Sequence, residues 1–279
     1  MVYTTTVIRM LEKRHQVDAI YVDFVKAFDR VPHKLTIAKL AVLGLPEWIT
    51  RWLDSYLSNR TARVLVEGSN SFHYNISSGV PQGGHLGPLI FNLFINDLGN
   101  LIKSSKLFYA DDLKIFRSIH TEDDLNALQV DINVILQWCR QNGMELNSKK
   151  CKVIPFHRTR SRVLKEYKLD QITLDRVPSI KDLGVTMDCK MDFHQHIYTT
   201  VAKAYPMLGF LLCNAAWFTD ISVLKTLYCS LVRSVLEYAV PVWAPYCTVY
   251  QQQIENIQRR FVRFATRVLP WNDPRTMTP

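Results

Sequence analysis

The chain has 279 residues, 48% hydrophobic and 21% charged, with a formal net charge of +9. That balance excludes a disordered chain, and the length suggests two compact units or one elongated one. The uncharged stretch from Ala204 to Phe218 is 15 residues long and holds Pro206 and Asn214, so it is too short to span a bilayer and reads as a buried helix.

An opening helix is predicted from Thr4 to about His15. Arg9, Glu12, Lys13 and Arg14 interrupt it early, unlike a secretory signal. The apolar run Ala19-Ile20-Tyr21-Val22 reads as a buried strand ending at Asp23. After Lys26-Ala27-Phe28-Asp29 and a turn at Val31-Pro32, a helix is predicted from His33 to Gly44, closed by the glycine in the left-handed conformation. Pro46 restarts a helix whose Trp48, Ile49, Trp52, Leu53, Tyr56 and Leu57 fall on one stripe, expected to be core. Residues 61–67 and 71–77 alternate around Gly68-Ser69-Asn70 as a β-hairpin would.

Residues 77–88, with four glycines and two prolines, form a loop that opens an apolar helix from Leu89 to about Leu101. The glycines suggest close backbone approach by a ligand. Tyr109-Ala110-Asp111-Asp112, flanked by mostly apolar residues, reads as a tight hairpin with two carboxylates at its tip. Taken alone such a pair is most often solvated turn chemistry; the other reading is that a fold holding two mutually repelling carboxylates together at a sheet edge neutralises them with a divalent cation. Asp23 adds a third carboxylate that can meet the other two across one sheet. A long amphipathic helix follows from Thr121, its cap, to Asn142, with Gly143 as its stop. Short strands are expected over 144–187. Helices are expected over 193–213, 220–238 and 247–268, with Pro241 and Pro245 in the last connection, and the change of character near residue 190 is the best domain boundary.

Two clusters carry much of the positive charge. From Lys149 to Arg176 nine Lys/Arg face Glu166, Asp170 and Asp175, while Arg259, Arg260, Arg263 and Arg267 recur at helical spacing. Each is either a solvated face or, with Phe156 and Tyr167 interleaved in the first, a polyanion track. The six cysteines (139, 151, 189, 213, 229, 247) stand singly, which argues for a reduced intracellular protein and against a zinc ribbon. His194-Gln195-His196 lacks cysteine or acidic partners at ligand spacing and reads as structural.

The order of these pieces resembles the reverse transcriptase of non-LTR (LINE-like) retrotransposons. Asp23-Phe24-Val25-Lys26-Ala27-Phe28-Asp29-Arg30-Val31 looks like the first palm motif, Gly79-Val80-Pro81-Gln82-Gly83 through Phe91 the second, and Tyr109-Ala110-Asp111-Asp112 the third. Asn142-Gly143-Met144-Glu145-Leu146-Asn147 with Lys150-Cys151 resembles the fourth, and Lys181-Asp182-Leu183-Gly184-Val185 the primer grip. Leu236-Glu237-Tyr238-Ala239, Val242-Trp243 and Gln258-Arg259-Arg260 resemble the helical region after the polymerase. The resemblance therefore covers almost the whole chain.

It implies an α+β fold: a polymerase palm, an antiparallel sheet with packed helices, over 1–190, then an all-helical thumb-like region over 191–279. It implies an RNA-directed DNA polymerase that joins a primer 3′-hydroxyl to the α-phosphate of a dNTP on an RNA template with a DNA primer. Two Mg²⁺ ions, for which Mn²⁺ can substitute, would be held by Asp23, Asp111, Asp112 and the Phe24 carbonyl. Phe28 would exclude a ribonucleotide's 2′-hydroxyl. Phe28 and the Lys26-Ala27-Phe28-Asp29 run weigh against a related palm enzyme such as an intron-encoded maturase or an RNA-templated RNA polymerase. Gln82 and Gly83 would lie under the incoming nucleotide and template, and Lys150 would protonate the leaving pyrophosphate. Leu183 and Gly184 would support the primer end, and Arg259, Arg260 and Arg263 would hold the duplex through its phosphates.

The family's way of life implies RNA binding in the cytoplasm and priming on chromosomal DNA in the nucleus, with no membrane partner and no oligomeric state specified. Gly84 stands where many relatives have Ser, and His85 where they have an apolar residue. Only 22 residues precede Asp23, so the fingers are expected to be largely missing. The alternative to an active polymerase is a truncated, inactive retroelement remnant that binds nucleic acid without polymerising.

Overall fold

A computed structural model describes residues 2–158, 163–215, 217–218 and 220–268. The chain divides into two compact units, Arg9–Val177 and Met1–Ile8 with Pro178–Pro279. In order the elements begin with α1 (Val2–Glu12), β1 (Gln16–Val22), α2 (Ala27–Arg30), α3 (His33–Val42) and α4 (Glu47–Leu57). Then come β2 (Thr61–Ala62), β3 (Leu65–Val66), β4 (Ser69–Asn70), β5 (Tyr74–Asn75), α5 (Leu86–Leu101), β6 (Ser105–Tyr109), β7 (Asp112–Ile119) and α6 (Glu122–Gln141). The strands β8 (Lys152–Phe156), β9 (Lys168–Leu169), β10 (Ile172–Thr173), β11 (Asp175–Arg176), β12 (Ser179–Asp182) and β13 (Val185–Asp188) follow. The chain closes with α7 (His194–Asn214), α8 (Ile221–Tyr228), a turn of π-helix at Cys229–Arg233, α9 (Ser234–Glu237), α10 (Val240–Trp243) and α11 (Thr248–Val268).

The expected α+β arrangement is present. In the first unit a five-stranded sheet runs β11-β8-β1-β7-β6, antiparallel except for the short parallel pairing of β11 with β8. β1 lies at its centre because nearly every residue in Gln-Val-Asp-Ala-Ile-Tyr-Val is buried, as a strand covered on both faces requires. Ile20 and Val22 join one core with Phe91, Phe94 and Leu98 of α5 and Leu128 and Ile132 of α6. α6 begins where a capping box forms between Thr121 and Asp124, and Gly143 (φ 67°) stops it. Gly44 likewise follows α3 with φ 84°.

Asp18, fully buried within β1, accepts hydrogen bonds from Gln16 Nε2 (2.8 Å), Tyr167 Oη (3.0 Å) and Arg176 Nη2 (3.1 Å). A buried carboxylate is tolerable when it is satisfied in this way. Burial, then the Asp18 charge, pushes the Tyr167 hydroxyl far above its ordinary pKa.

Several expectations are corrected. Trp48 and Trp52 are 72% and 52% exposed, while Thr50, Leu53 and Leu57 form the buried stripe of α4. The hairpin over 61–77 is broken into two short ladders, β2 with β5 and β3 with β4, and it turns at Glu67-Gly68, both with positive φ. The stretch after Ala204 buries one face only: Ala204, Leu208 and Leu211 are inside, but Phe210 is 61% exposed. No described helix is long and apolar enough to cross a membrane. Phe156 and Tyr167 are core residues, so they cannot interleave with a basic track; Arg160 and Arg162 lie outside the described residues.

The second unit packs α7, α8, α9 and α11 around Leu208, Leu224, Leu236 and Ile257, with Tyr228 stacked on Phe261 at 4.2 Å. Its β12–β13 hairpin turns through Leu183 (φ 45°) and Gly184 (φ 84°), the two left-handed residues of a tight hairpin turn. This hairpin belongs with the helices, so the division falls before it, ahead of the change in pattern near residue 190.

Candidate active site

The register places three carboxylates at one end of the sheet. β1 and β7 pair down to Val22↔Leu113, so the next residues along the two strands are Asp23 and Asp112. Asp111 sits in the two-residue turn that joins β6 to β7, beside Ala110. Ala110 has φ 53°, a conformation costing a non-glycine residue on the order of 1 kcal/mol and typically stored where a site demands it.

Asp23 is held by its backbone. The Asn147 N–H donates to the Asp23 carbonyl (2.8 Å), the Val25 N–H donates to the Glu145 carbonyl (2.8 Å), and Phe24 bridges to Leu146. The Asp23 N–H donates to the Cys151 sulfur at 3.4 Å. Burial, the largest influence, raises the pKa of the Cys151 thiol, keeping it protonated. Arg30 and Glu145 add an ion pair at 2.5 Å between the same two segments. The loop over residues 142–151 thus fixes the segment that carries Asp23 and the buried Phe24.

Lys150 joins the site, with Nζ 3.7 Å from Asp23 Oδ2. Among the described residues no three acidic, histidine or cysteine side chains converge closely enough to hold a metal ion. The donor set nonetheless suits a hard divalent cation in its chemistry: carboxylate oxygens from neighbouring strands, next to a backbone carbonyl.

The glycine-rich loop docks on the same segment. The Gly79 N–H donates to the Val31 carbonyl, the Val80 N–H to the Phe28 carbonyl, and His33 Nε2–H to the Gly79 carbonyl at 2.7 Å. Gln82 Nε2 donates to Asp29 Oδ1 at 2.9 Å. A Cβ on Gly79, whose φ is 93°, would lie 2.8 Å from the Asp29 carbonyl oxygen. The close backbone approach at this glycine is therefore made by the chain itself, which corrects the expectation of a ligand there. Gly83 (φ 89°) and Gly84 face open space. Phe28 packs on Phe91 with ring centroids 4.8 Å apart.

The remaining candidates lie in the helical unit. The Leu183 carbonyl accepts from Tyr238 Oη (2.9 Å), and Gly184 is so close to this ring that a Cβ would lie 2.9 Å from it. The sequence supplied Tyr238 as part of a motif but not this role; its spacing of 55 residues from the turn offered no local signal. Arg259, Arg260, Arg263 and Arg267 line one groove of about 540 Å³ with Tyr205, Leu212 and Phe264. By contrast, the first basic cluster is partly consumed internally, Lys152 by Asp175 and Arg176 by Asp18. His196 is buried, accepts from the Thr186 N–H at Nδ1 (3.2 Å) and meets Trp243 edge-on, a structural role. Each of the six cysteines is free.

A family model described as reverse transcriptase (RNA-dependent DNA polymerase) matches residues 6–187. Over 94% of its length the chain is 27% identical to the probable RNA-directed DNA polymerase from transposon BS of Drosophila melanogaster, covering 30% of that protein. It is 26% identical, again over 94% of its length, to the RNA-directed DNA polymerase from mobile element jockey of Drosophila funebris, covering 29% of that protein. The chain thus spans less than a third of these curated relatives. Among solved structures, apo telomerase from Candida tropicalis superposes with a TM-score of 0.56 at 13% identity, over 99% of this chain and 48% of that one. That likeness is one of fold.

Proposed function

The chain belongs to the reverse transcriptase (RNA-dependent DNA polymerase) family, in its non-LTR retrotransposon form, and from that premise we propose that it is the palm and thumb portion of an RNA-directed DNA polymerase. The observation that supports this reading is the strand register that brings Asp23, Asp111 and Asp112 to one end of the sheet, with Lys150 beside Asp23.

The substrates would be a dNTP and a DNA primer on an RNA template. Two Mg²⁺ ions, with Mn²⁺ as a substitute, would be held by Asp23, Asp111, Asp112 and the Phe24 carbonyl, and would supply charge stabilisation at the attacking and leaving oxygens of an in-line displacement. Lys150 Nζ holds the proton that leaves with pyrophosphate when the α-phosphate bond to it breaks. Phe28, braced by Phe91, presents a flat ring where a 2′-hydroxyl would project and so favours deoxynucleotides. Gln82, anchored on Asp29, holds its loop against the nucleotide, and Gly83 leaves room there. Leu183 and Gly184 steady the primer end on Tyr238. Arg259, Arg260 and Arg263 bind phosphates without reading sequence. Such an enzyme would meet its RNA in the cytoplasm and its DNA primer in the nucleus.

Extension of a labelled DNA primer on an RNA template, with Mg²⁺ and dNTPs, tests the proposal against an Asp111→Asn control. Extension that vanishes in the control supports it. A folded chain that binds the hybrid yet extends nothing would be the inactive remnant.

A further inference from the structure

One edge of the five-stranded sheet is β6, which among the described strands pairs with β7 alone. The turn after β6 has two residues, and in such a hairpin the flanking pair, here Tyr109 and Asp112, exchanges both main-chain hydrogen bonds. Alternation along the strand then leaves the N–H and C=O groups of Lys106 and Phe108 pointing away from β7, toward the open edge. An edge of this kind is a template for one more strand.

A groove of about 690 Å³ runs beside that edge, and Lys106 and Phe108 both line it. Its other wall is α5, which contributes Asn92, Asn96 and Asn100, four residues apart and so on one stripe of the helix. All three are exposed, and their side-chain amides make no hydrogen bond with a described residue. Gly99 lets the helix run close to the strand, since a Cβ there would already touch the Phe108 ring at 3.7 Å.

The two walls share the repeat of an extended chain. Side chains four residues apart on a helix recur about every 6 Å, and the outward main-chain groups of a strand about every 6.6 Å. A strand laid in the groove can therefore bond β6 with one edge and, with the other, the asparagine amides, each of which offers donors and an acceptor. Charge sets the character of the partner. Lys106 is the one charged side chain among the described residues of the lining, and no carboxylate joins it. Its Nζ donates to the Ile102 carbonyl at 2.7 Å, which leaves two further N–H donors for an incoming carboxylate. Neutral amides with a single cation suit a peptide better than a polyanion, whose binding rests on many cations.

We propose that the groove between β6 and α5 docks an extended segment of a partner protein, antiparallel to β6, with an acidic residue near the carboxyl end of the segment set against Lys106. This goes beyond the polymerase reading and does not depend on it. Strand addition turns β6 from an edge into an inner strand and steadies the turn that carries Asp111.

The probe is a fluorescein-labelled hexapeptide, Thr-Val-Thr-Val-Thr-Glu, blocked at both ends and titrated with the full chain by fluorescence anisotropy. Binding is expected with Kd on the order of 10⁻⁴ M. Asn96→Ala/Asn100→Ala should raise Kd about 10-fold. The same peptide N-methylated at each valine loses the donors of one edge and should not bind, a control that leaves the protein untouched. In the complex the Lys106 and Phe108 amides should exchange more slowly with solvent. No binding, or equal Kd for the parent and the Asn variant, or for the plain and N-methylated peptides, would overturn the groove as a strand site. Loss of affinity for a labelled RNA–DNA hybrid in the Asn variant, with peptide binding unchanged, would overturn the peptide assignment in favour of nucleic acid. Self-association of the parent in sedimentation equilibrium that the Asn variant abolishes would overturn the separate partner in favour of a second copy of this chain.

Discussion

Lys150 Nζ stands 3.7 Å from Asp23 Oδ2, so one end of the central strand carries a cation as well as its carboxylate. The pairing is between partly exposed groups, and its contribution to stability is small. On the proposed reading its weight is in the chemistry. Lys150→Met is expected to lower kcat for dNTP incorporation by about 10²-fold or more with hybrid Kd unchanged. Single-turnover incorporation measures this, and an unaltered rate would remove Lys150 from proton transfer.

Asp111→Asn deletes a carboxylate and no phosphate-binding cation. Incorporation should disappear while hybrid affinity stays nearly the same. Equal incorporation by mutant and parent in a primer-extension gel would refute the assigned site.

The glycine-rich loop is locked by sterics at one point and merely strained at another. Gly79→Ala puts a methyl group 2.8 Å from a carbonyl oxygen at a positive φ, whereas Gly83→Ala meets the positive φ in open space. Gly79→Ala should therefore lose roughly 2–3 kcal/mol and Gly83→Ala about 1 kcal/mol. Urea midpoints at constant m-value decide between them, and the reverse ranking would contradict the docking of the loop on Asp29.

His196 accepts a backbone N–H at Nδ1 and is held neutral by burial and by two lysines, so its folded pKa is lowered. Near neutral pH both folded and unfolded states are neutral there and the group contributes no slope. As pH falls through the unfolded value of about 6.5, the unfolded chain takes up a proton that the folded one resists, and stability declines. His196→Gln should shrink the drop in Tm between pH 7.5 and pH 5.5, and a drop of unchanged size would mean that His196 is not its source.

Arg259, Arg260 and Arg263 share one groove. Replacing all three with Ala should reduce the salt slope of hybrid binding by about 2 to 3. A slope equal to the parent's would place the duplex elsewhere.

Much of this fold was legible because its signals are local. Thr121 capping, Gly143 and Gly44 stopping their helices, and the two-residue acidic turn all depend on residues a few positions apart. The run ending at Asp23 was readable as a strand because a strand buried on both faces is apolar almost throughout. What escaped detection was settled by distant partners. Periodicity puts Trp48 and Trp52 on a stripe, but only the packing of α4 shows that Leu53 and Leu57, not the tryptophans, face inward. The charge of Asp18 argued against its own burial until Tyr167 and Arg176, roughly 150 positions away, supplied partners. In the candidate site the carboxylates were legible from the sequence as a motif. The anchoring of Asp23 by Asn147 and Cys151, and of the Leu183 turn by Tyr238, was not, because neither follows from any repeat or spacing.

The sheet order has a kinetic meaning. β1, carrying Asp23 at its end, is the middle strand, while β6, which leads into Asp111, is an edge held by β7 alone. Amide protons of β1 should exchange only when the whole unit opens, and those of β6 through local fraying. Asp23 and Asp112 thus stand on fixed posts, whereas Asp111 rides the hem of the sheet and should be the first of the three to lift.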